Sequence, residues 1–186
     1  MTSGPQDYRS HTVRRVPAPV GVYALCDLDE VPIYVGQSTD GIRSRVRRHL
    51  TSARSDVIAN RQLDVWEVAY VWSWPTEDRS IIDDLEAYLF HFFHEQKTLL
   101  NGSIPKIATL TSDLIPEVVK VQIMTDEEIV DRKNPIRRLP RQAEQFHNLL
   151  DHILNVKDSP ELRRSLVAHY ERLSSYYEQF IGTLEV

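Results

Sequence analysis

The sequence predicts an α+β fold: a small mixed β-sheet flanked by helices, followed by an α-helical C-terminal extension. Three observations carry that reading. Two short apolar runs, residues 20–26 and 31–36, are separated by the polar stretch 27–30, as in a β-hairpin. Two segments with apolar residues at helical spacing, 41–53 and 77–96, flank a third run rich in β-formers. From Arg141 onward the pattern is helical, with a break at Ser159-Pro160.

In chain order, residues 1–16 are polar, contain Gly4 and Pro5, and are expected to form a flexible N-terminal arm. The hairpin follows. In the first helix, Ile42, Val46, His49 and Leu50 share a face, arginines take the other positions, and Thr39 or Asp40 is placed to cap it. Residues 63–74 read as a long strand through Val65, Val68, Tyr70, Trp72 and Trp74, stopped by Pro75. In the second helix Ile81, Ile82, Leu85, Leu89, Phe92 and Phe93 form the buried stripe, and Gly102 ends the first domain, residues 17–103. Residues 104–140 carry four prolines and one expected strand, 118–124, and read as a linker or accessory segment. In the helical extension, 141–186, Ser159, Pro160 and Glu161 are a helix-start signal. Leu162, Leu166, Tyr170, Leu173, Tyr177 and Phe180 form a stripe that folds back on the first domain, builds a homodimer or docks a protein partner.

Composition narrows the functional classes. The chain has 186 residues, 41% hydrophobic and 26% charged, enough for a core and against global disorder. No apolar run is long enough for a membrane helix, and the first residues have no signal-peptide h-region, so a soluble, cytoplasmic protein is expected. One cysteine, Cys26, excludes an intrachain disulfide framework and a multi-cysteine zinc site. The net charge is −5, but Arg43, Arg45, Arg47, Arg48, Arg54 and Arg61 crowd one stretch, so a phosphate-rich partner remains compatible. A second basic cluster, Arg132 to Arg141, and the pair Arg14-Arg15 read equally as phosphate contacts or as solvated charge.

Polar groups then fall at particular points of the pattern. Tyr23 and Tyr34 lie on successive hairpin strands, Arg45 and His49 one turn apart on the first helix, and Glu86 near the apolar stripe of the second. A carboxylate there is costly without a partner such as a cation. Two phenols, a guanidinium, an imidazole and a carboxylate suit metal-assisted attack on a phosphodiester. Other groups favour packing. His91 and His94 form an H-x-x-H pair without a further ligand, among phenylalanines, and the tryptophans 66, 72 and 74 alternate along one strand. Asp83 and Asp84 add metal attraction or face water, and the second is favoured.

Here the sequence resembles the GIY-YIG nuclease family. Gly21-Val22-Tyr23 and Tyr34-Val35-Gly36 resemble its paired motifs, with valine where the family has isoleucine. Gln37-Ser38 with residues 45–50 (RVRRHL) resembles its arginine-bearing helix, residues 85–89 (LEAYL) its metal-binding glutamate helix, and Leu100-Asn101 its closing asparagine. The resemblance covers residues 20–101 and implies a divalent-metal-dependent endonuclease acting on nucleic acid, most plausibly DNA, of a stand-alone restriction, defence or mobile-element type. It implies that Glu86 binds one Mg²⁺ or Mn²⁺, that Arg45 stabilises the phosphate, and that Tyr23 or Tyr34 activates water. It further implies that His49 shuttles a proton or contacts phosphate, and that Asn101 supports the glutamate helix and pocket. Arg43, Arg47, Arg48 and Arg54 are then nucleic-acid contacts. The competing reading is a non-catalytic nucleic-acid- or protein-binding module on the same scaffold, acting through the C-terminal helices.

Overall fold

The structure, a computed structural model, describes residues 5–51, 59 and 61–182. Four strands form one sheet in the order β2-β1-β3-β4: β1 (Gly21–Cys26), β2 (Pro32–Ser38), β3 (Tyr70–Pro75) and β4 (Val119–Gln122). The α+β class holds, but every pairing is antiparallel rather than mixed. The reason is the strand order: β3 runs in the direction of β2, but β1 lies between them. The helices are α1 (Pro5–Thr12), α2 (Ile42–Thr51), α3 (Ile82–His94), α4 (Asp126–Lys133), α5 (Pro135–Asn155) and α6 (Pro160–Gly182). No helix among the described residues is long and apolar enough to cross a membrane.

β1 is central and covered on both faces, so all six of its residues are buried. Tyr23 and Leu25 pack on one side with Ile42, Val46 and Leu50 of α2. Val22, Ala24 and Cys26 pack on the other with Ile82, Leu85, Leu89 and Phe93 of α3. The tryptophans 72 and 74 join this second layer against Phe93, as packing groups.

Residues 5–16 depart from the expected flexible arm. α1 runs into a 3₁₀ turn, Val13–Arg15, and Val13 and Val16 are buried in the α2 layer. Arg9 is 5% exposed. It donates to the carbonyls of Val65 at 2.9 Å and Val68 at 3.0 Å, and its guanidinium lies over Trp66. Burial pushes its pKa down to about 10, which leaves it charged at neutral pH because those carbonyls replace water. Residues 17–19, directly after this segment, cap α2. The Ile42 and Arg43 amides donate to the carbonyls of Pro19 and Pro17, where Thr39 or Asp40 was the expected cap. Gly41 precedes them at φ +114°, and a Cβ there would lie 2.6 Å from the Ala18 carbonyl.

The long strand expected over 63–74 exists only from Tyr70. Asp64 turns the chain by accepting from the Trp66 amide, and Glu67 is drawn inward by arginines far along the sequence. The second helix is likewise shorter than expected, entered through a 3₁₀ turn at Arg79–Ile81. α5 starts before Arg141, at Pro135, because Asn134 caps it by accepting from the Ile136 amide. α6 starts at Pro160 as expected, with the Leu162 amide donating to Ser159 Oγ.

α5 and α6 fold back on the first domain through buried polar contacts. Asp27, wholly buried in the β1–β2 turn, accepts from Arg172 and Tyr176 of α6 and from the amides of Asp29 and Val31. Glu67 accepts from Arg138, Arg141 and Gln142 of α5. Burial pushes the Glu67 carboxyl up, and the two arginines oppose it. The basic cluster 132–141 is therefore spent on Glu128, Asp29, Asp131, Glu67 and Asp64, not offered to phosphate.

Candidate active site

The antiparallel register sets Tyr23 opposite Gly36 and Tyr34 opposite Leu25, on one face of the sheet. Their ring centroids are 6.4 Å apart. The two rings close up because position 36 is glycine: a Cβ there would sit 2.6 Å from the Tyr23 hydroxyl oxygen and 2.9 Å from Tyr34 Cε1. α2 lies over this face and adds Arg45 and His49, one turn apart. The Tyr23 hydroxyl is 2.7 Å from His49 Nε2, with both residues buried. The Tyr34 ring meets His49 edge-on at 5.8 Å. Burial pushes the Tyr23 phenol well above its usual range, with Tyr34 adding to the rise and the adjacent Arg45 guanidinium opposing it. Arg45 Nε is buried and has no hydrogen-bond partner among the described residues.

Glu86 reaches the site from α3, on the other side of the sheet. Gln37 follows Gly36 and so points to that opposite side. Its amide Nε2 donates to Glu86 Oε2 at 3.0 Å and to Asp83 Oδ1 at 2.9 Å. Burial pushes the Glu86 carboxyl up; the Gln37 hydrogen bond opposes this and Asp83 reinforces it. Glu86 also feels the charge of Arg45, and Tyr23 that of Glu86, so groups from both faces form one electrostatic site around the β2 edge.

Residues 19–97 match the family model for the GIY-YIG catalytic domain. The chain carries a GIY-YIG catalytic domain. The match takes in Tyr23, Tyr34, Arg45, His49 and Glu86, leaves Asn101 beyond its end, and covers less than half of the chain. It points to nuclease activity in general, with nucleic acid as substrate. No curated protein and no solved structure matches the chain.

Beyond the GIY-YIG match, the structure places the other expected residues as follows. Asn101 was expected to support the glutamate helix and pocket. It lines the pocket beside Tyr34 and clips β2: Oδ1 accepts from the Val35 amide at 3.0 Å and Nδ2 donates to the Val35 carbonyl at 2.6 Å. Its side chain reproduces the pairing of a neighbouring strand and holds in place the strand that carries Tyr34, Gly36 and Gln37. Arg43 and Arg47 lie on the side of α2 turned away from the tyrosines, because two residues along a helix is a rotation of about 200°. Arg48 is exposed, and Arg54 lies outside the described residues. His91 Nε2 hydrogen-bonds the Pro105 carbonyl and His94 Nδ1 accepts from the Leu99 amide, so the H-x-x-H pair is structural.

The sequence pointed to no role for Gln37, and for Asp83 it left metal attraction or a solvated face, favouring the second. Alternation was the available signal, since Gln37 and the second helix fall on the same side of the sheet. It also assigned no part in the site to the extension. A cavity of about 250 Å³ joins Tyr34, Arg45 and Asn101 to Gln62, Lys157 and Glu161, so the start of α6 borders the GIY-YIG site.

Proposed function

We propose that the chain is a divalent-metal-dependent endonuclease that hydrolyses DNA phosphodiesters. The observation that carries this reading is the convergence of a hydrogen-bonded Tyr23–His49 pair, Tyr34, Arg45 and Glu86 around one edge of β2. Glu86 fits a hard cation. Among the described residues it is in no ion pair, and its hydrogen bonds come from Gln37, a neutral residue. No cluster of three or more His, Cys, Asp or Glu occurs among the described residues, so a closed zinc-type cage is not on offer. One carboxylate suits Mg²⁺ or Mn²⁺, which keep most of their waters and take phosphate oxygens. Bound there, the ion supplies charge to the scissile phosphate as a Lewis acid.

The chain's own groups do the rest. Arg45, which lines the cavity beside Tyr34, offers its guanidinium charge to a non-bridging oxygen, where charge builds as the phosphorus becomes five-coordinate. Tyr34 lines the open cavity and orients the attacking water. Tyr23 is sealed from solvent, and burial disfavours a standing phenolate there. Its hydroxyl is hydrogen-bonded to His49 Nε2, and with that nitrogen as the acceptor Tyr23 takes a proton only as it passes its own to His49. Gln37 fixes the Glu86 carboxylate, and Asn101 fixes the strand beneath it.

The test is cleavage of supercoiled plasmid and of single-stranded DNA with Mg²⁺, Mn²⁺ or EDTA, alongside Glu86→Ala and Arg45→Ala. The expected result is metal-dependent cutting that falls at least about 10²-fold in either variant. Undiminished cutting by Glu86→Ala refutes the site. A folded protein that binds DNA and cuts it with neither metal supports the non-catalytic binding module instead.

A further inference from the structure

α1 and the 3₁₀ turn after it lie outside the GIY-YIG match, yet they pack along α2. Between them is a second cavity, of about 360 Å³, on the side of α2 opposite Arg45 and His49. Arg9, Arg14, Arg43 and Arg47 line it, with Ser10 and Thr51, over Val13, and Arg9 already donates to the Val65 and Val68 carbonyls. Arg43 is held in place, since its Nε donates to the Val16 carbonyl at 2.7 Å. Among the described residues none of Arg14, Arg43 and Arg47 forms an ion pair. This contrasts with α4 to α6, where Arg132, Arg137, Arg138, Arg141, Arg163 and Arg172 all meet carboxylates. In a chain of net charge −5, acids are in excess, but none among the described residues lines this cavity. Four like charges around one hollow repel one another, and an anion relieves that repulsion.

We propose that Arg14, Arg43 and Arg47 form a phosphate-binding cradle for the nucleic-acid backbone, separate from the site of cleavage. The cradle rests on the nuclease reading for the identity of its ligand. An α-helix with its side chains is about 10–12 Å across, and a DNA strand rises 3.4 Å per nucleotide. The phosphate in the cradle therefore lies about one helix width from the one at Arg45, so the strand crosses α2. Arg48, exposed between the two faces, lies under that crossing. Guanidinium contacts of this kind set affinity and register without reading bases. The N-terminal segment thus acts as a substrate-positioning element added to the family domain.

The experiment is a salt titration of binding, read by fluorescence anisotropy with the full chain, a labelled DNA duplex and a labelled single strand, in EDTA so that no cutting intervenes. Wild type is compared with Arg14→Ala/Arg47→Ala and with Arg14→Lys/Arg47→Lys. The alanine pair is expected to lower the slope of log K against log salt by roughly 2, about one per lost phosphate contact, and to weaken binding at least about tenfold at low salt. The lysine pair is expected to restore most of the slope, which a merely structural role for the two arginines would not require. With metal, the alanine pair should raise KM and leave kcat unchanged. An unchanged slope in the alanine pair overturns the cradle while leaving the nuclease reading intact. A reduced slope in a protein that never cuts supports the cradle and removes the nuclease reading. Should the alanine pair misfold, Arg14→Glu alone, at an exposed position, must lower the slope, or the proposal falls. A wild-type protein that binds neither form of DNA also overturns it.

Discussion

Gly36→Ala tests whether the spacing of the two tyrosines is what the site depends on. The added methyl would stand 2.6 Å from the Tyr23 hydroxyl, 2.8 Å from its Cζ and 2.9 Å from Tyr34 Cε1, all closer than carbon and oxygen tolerate. Neither ring has an easy retreat. Tyr23 is fully buried and hydrogen-bonded to His49, and Tyr34 packs against both. Reaching an ordinary contact of about 3.5 Å requires a shift near 1 Å, shared between strand and rings. Overpacking of this size costs about 1–3 kcal/mol of stability. A displacement near 1 Å at reacting groups costs about 10²-fold in rate. The assay is urea unfolding together with single-turnover cleavage at a temperature where the variant is folded. A Tyr23→Phe background supplies the control, because it removes the closest atom. The cost of Gly36→Ala should shrink there, and the two changes should not add. Wild-type stability and rate in Gly36→Ala, or an equal cost in both backgrounds, would refute the reasoning.

Other expectations follow from neighbouring contacts. Asn101→Ala removes two hydrogen bonds to Val35 and should cost about 2 kcal/mol in unfolding; Asn101→Asp should be no better, since it sets a carboxylate oxygen against the Val35 carbonyl. Gln37→Ala should raise the Mg²⁺ concentration for half-maximal cleavage about 10-fold, measured by metal titration, because Glu86 loses the group that orients it. Arg172→Ala should cost about 3–5 kcal/mol by leaving Asp27 buried and short of its cation, and Asp27→Asn/Arg172→Met should recover part of that loss in the same assay. Burial pushes the His169 imidazole down to about 4 from 6.5, against the opposing Gln62 carbonyl. The unfolded chain therefore takes up a proton below about pH 6.5 that the native state refuses until about pH 4, and stability falls as pH drops through that window by about 3 kcal/mol. Denaturation midpoints from pH 7 to 4 should show this slope in wild type and lose it in His169→Gln; equal slopes would falsify the assignment.

The parts of this fold that were legible in the sequence are those whose cause is local. The hairpin follows from two β-branched runs around a polar turn, and α2 and α3 from apolar residues at helical spacing, so Tyr23, Tyr34, Arg45 and His49 could be placed together before any coordinates. What escaped depends on partners distant in sequence. Residues 5–16 have no apolar periodicity, and their order comes from Arg9 bonding to Val65 and Val68. Val65 and Trp66 read as strand formers, but Glu67 is pulled inward by arginines more than seventy positions away. The cap of α2 is two proline carbonyls, which no side-chain signature reports. The pairing of Asn101 with β2 was not legible, because a side chain that pairs with a strand edge looks like any other polar residue in a loop.

The way the sheet is bounded bears on any attempt to use this domain in isolation. Both of its flanks are completed by residues after position 97: the amide of Leu100 and the side chain of Asn101 along β2, and β4 along β3. A fragment trimmed to the family boundaries would present two bare rows of backbone donors and acceptors, an open invitation to edge-to-edge aggregation. In the intact chain the outermost strand is only four residues long and carries Lys120, a poor template for a stranger's strand. Fusions and minimal nucleases built from this chain should therefore keep residues through 182, and insolubility of a shorter piece would report on exposed strands, not on a failed catalytic design.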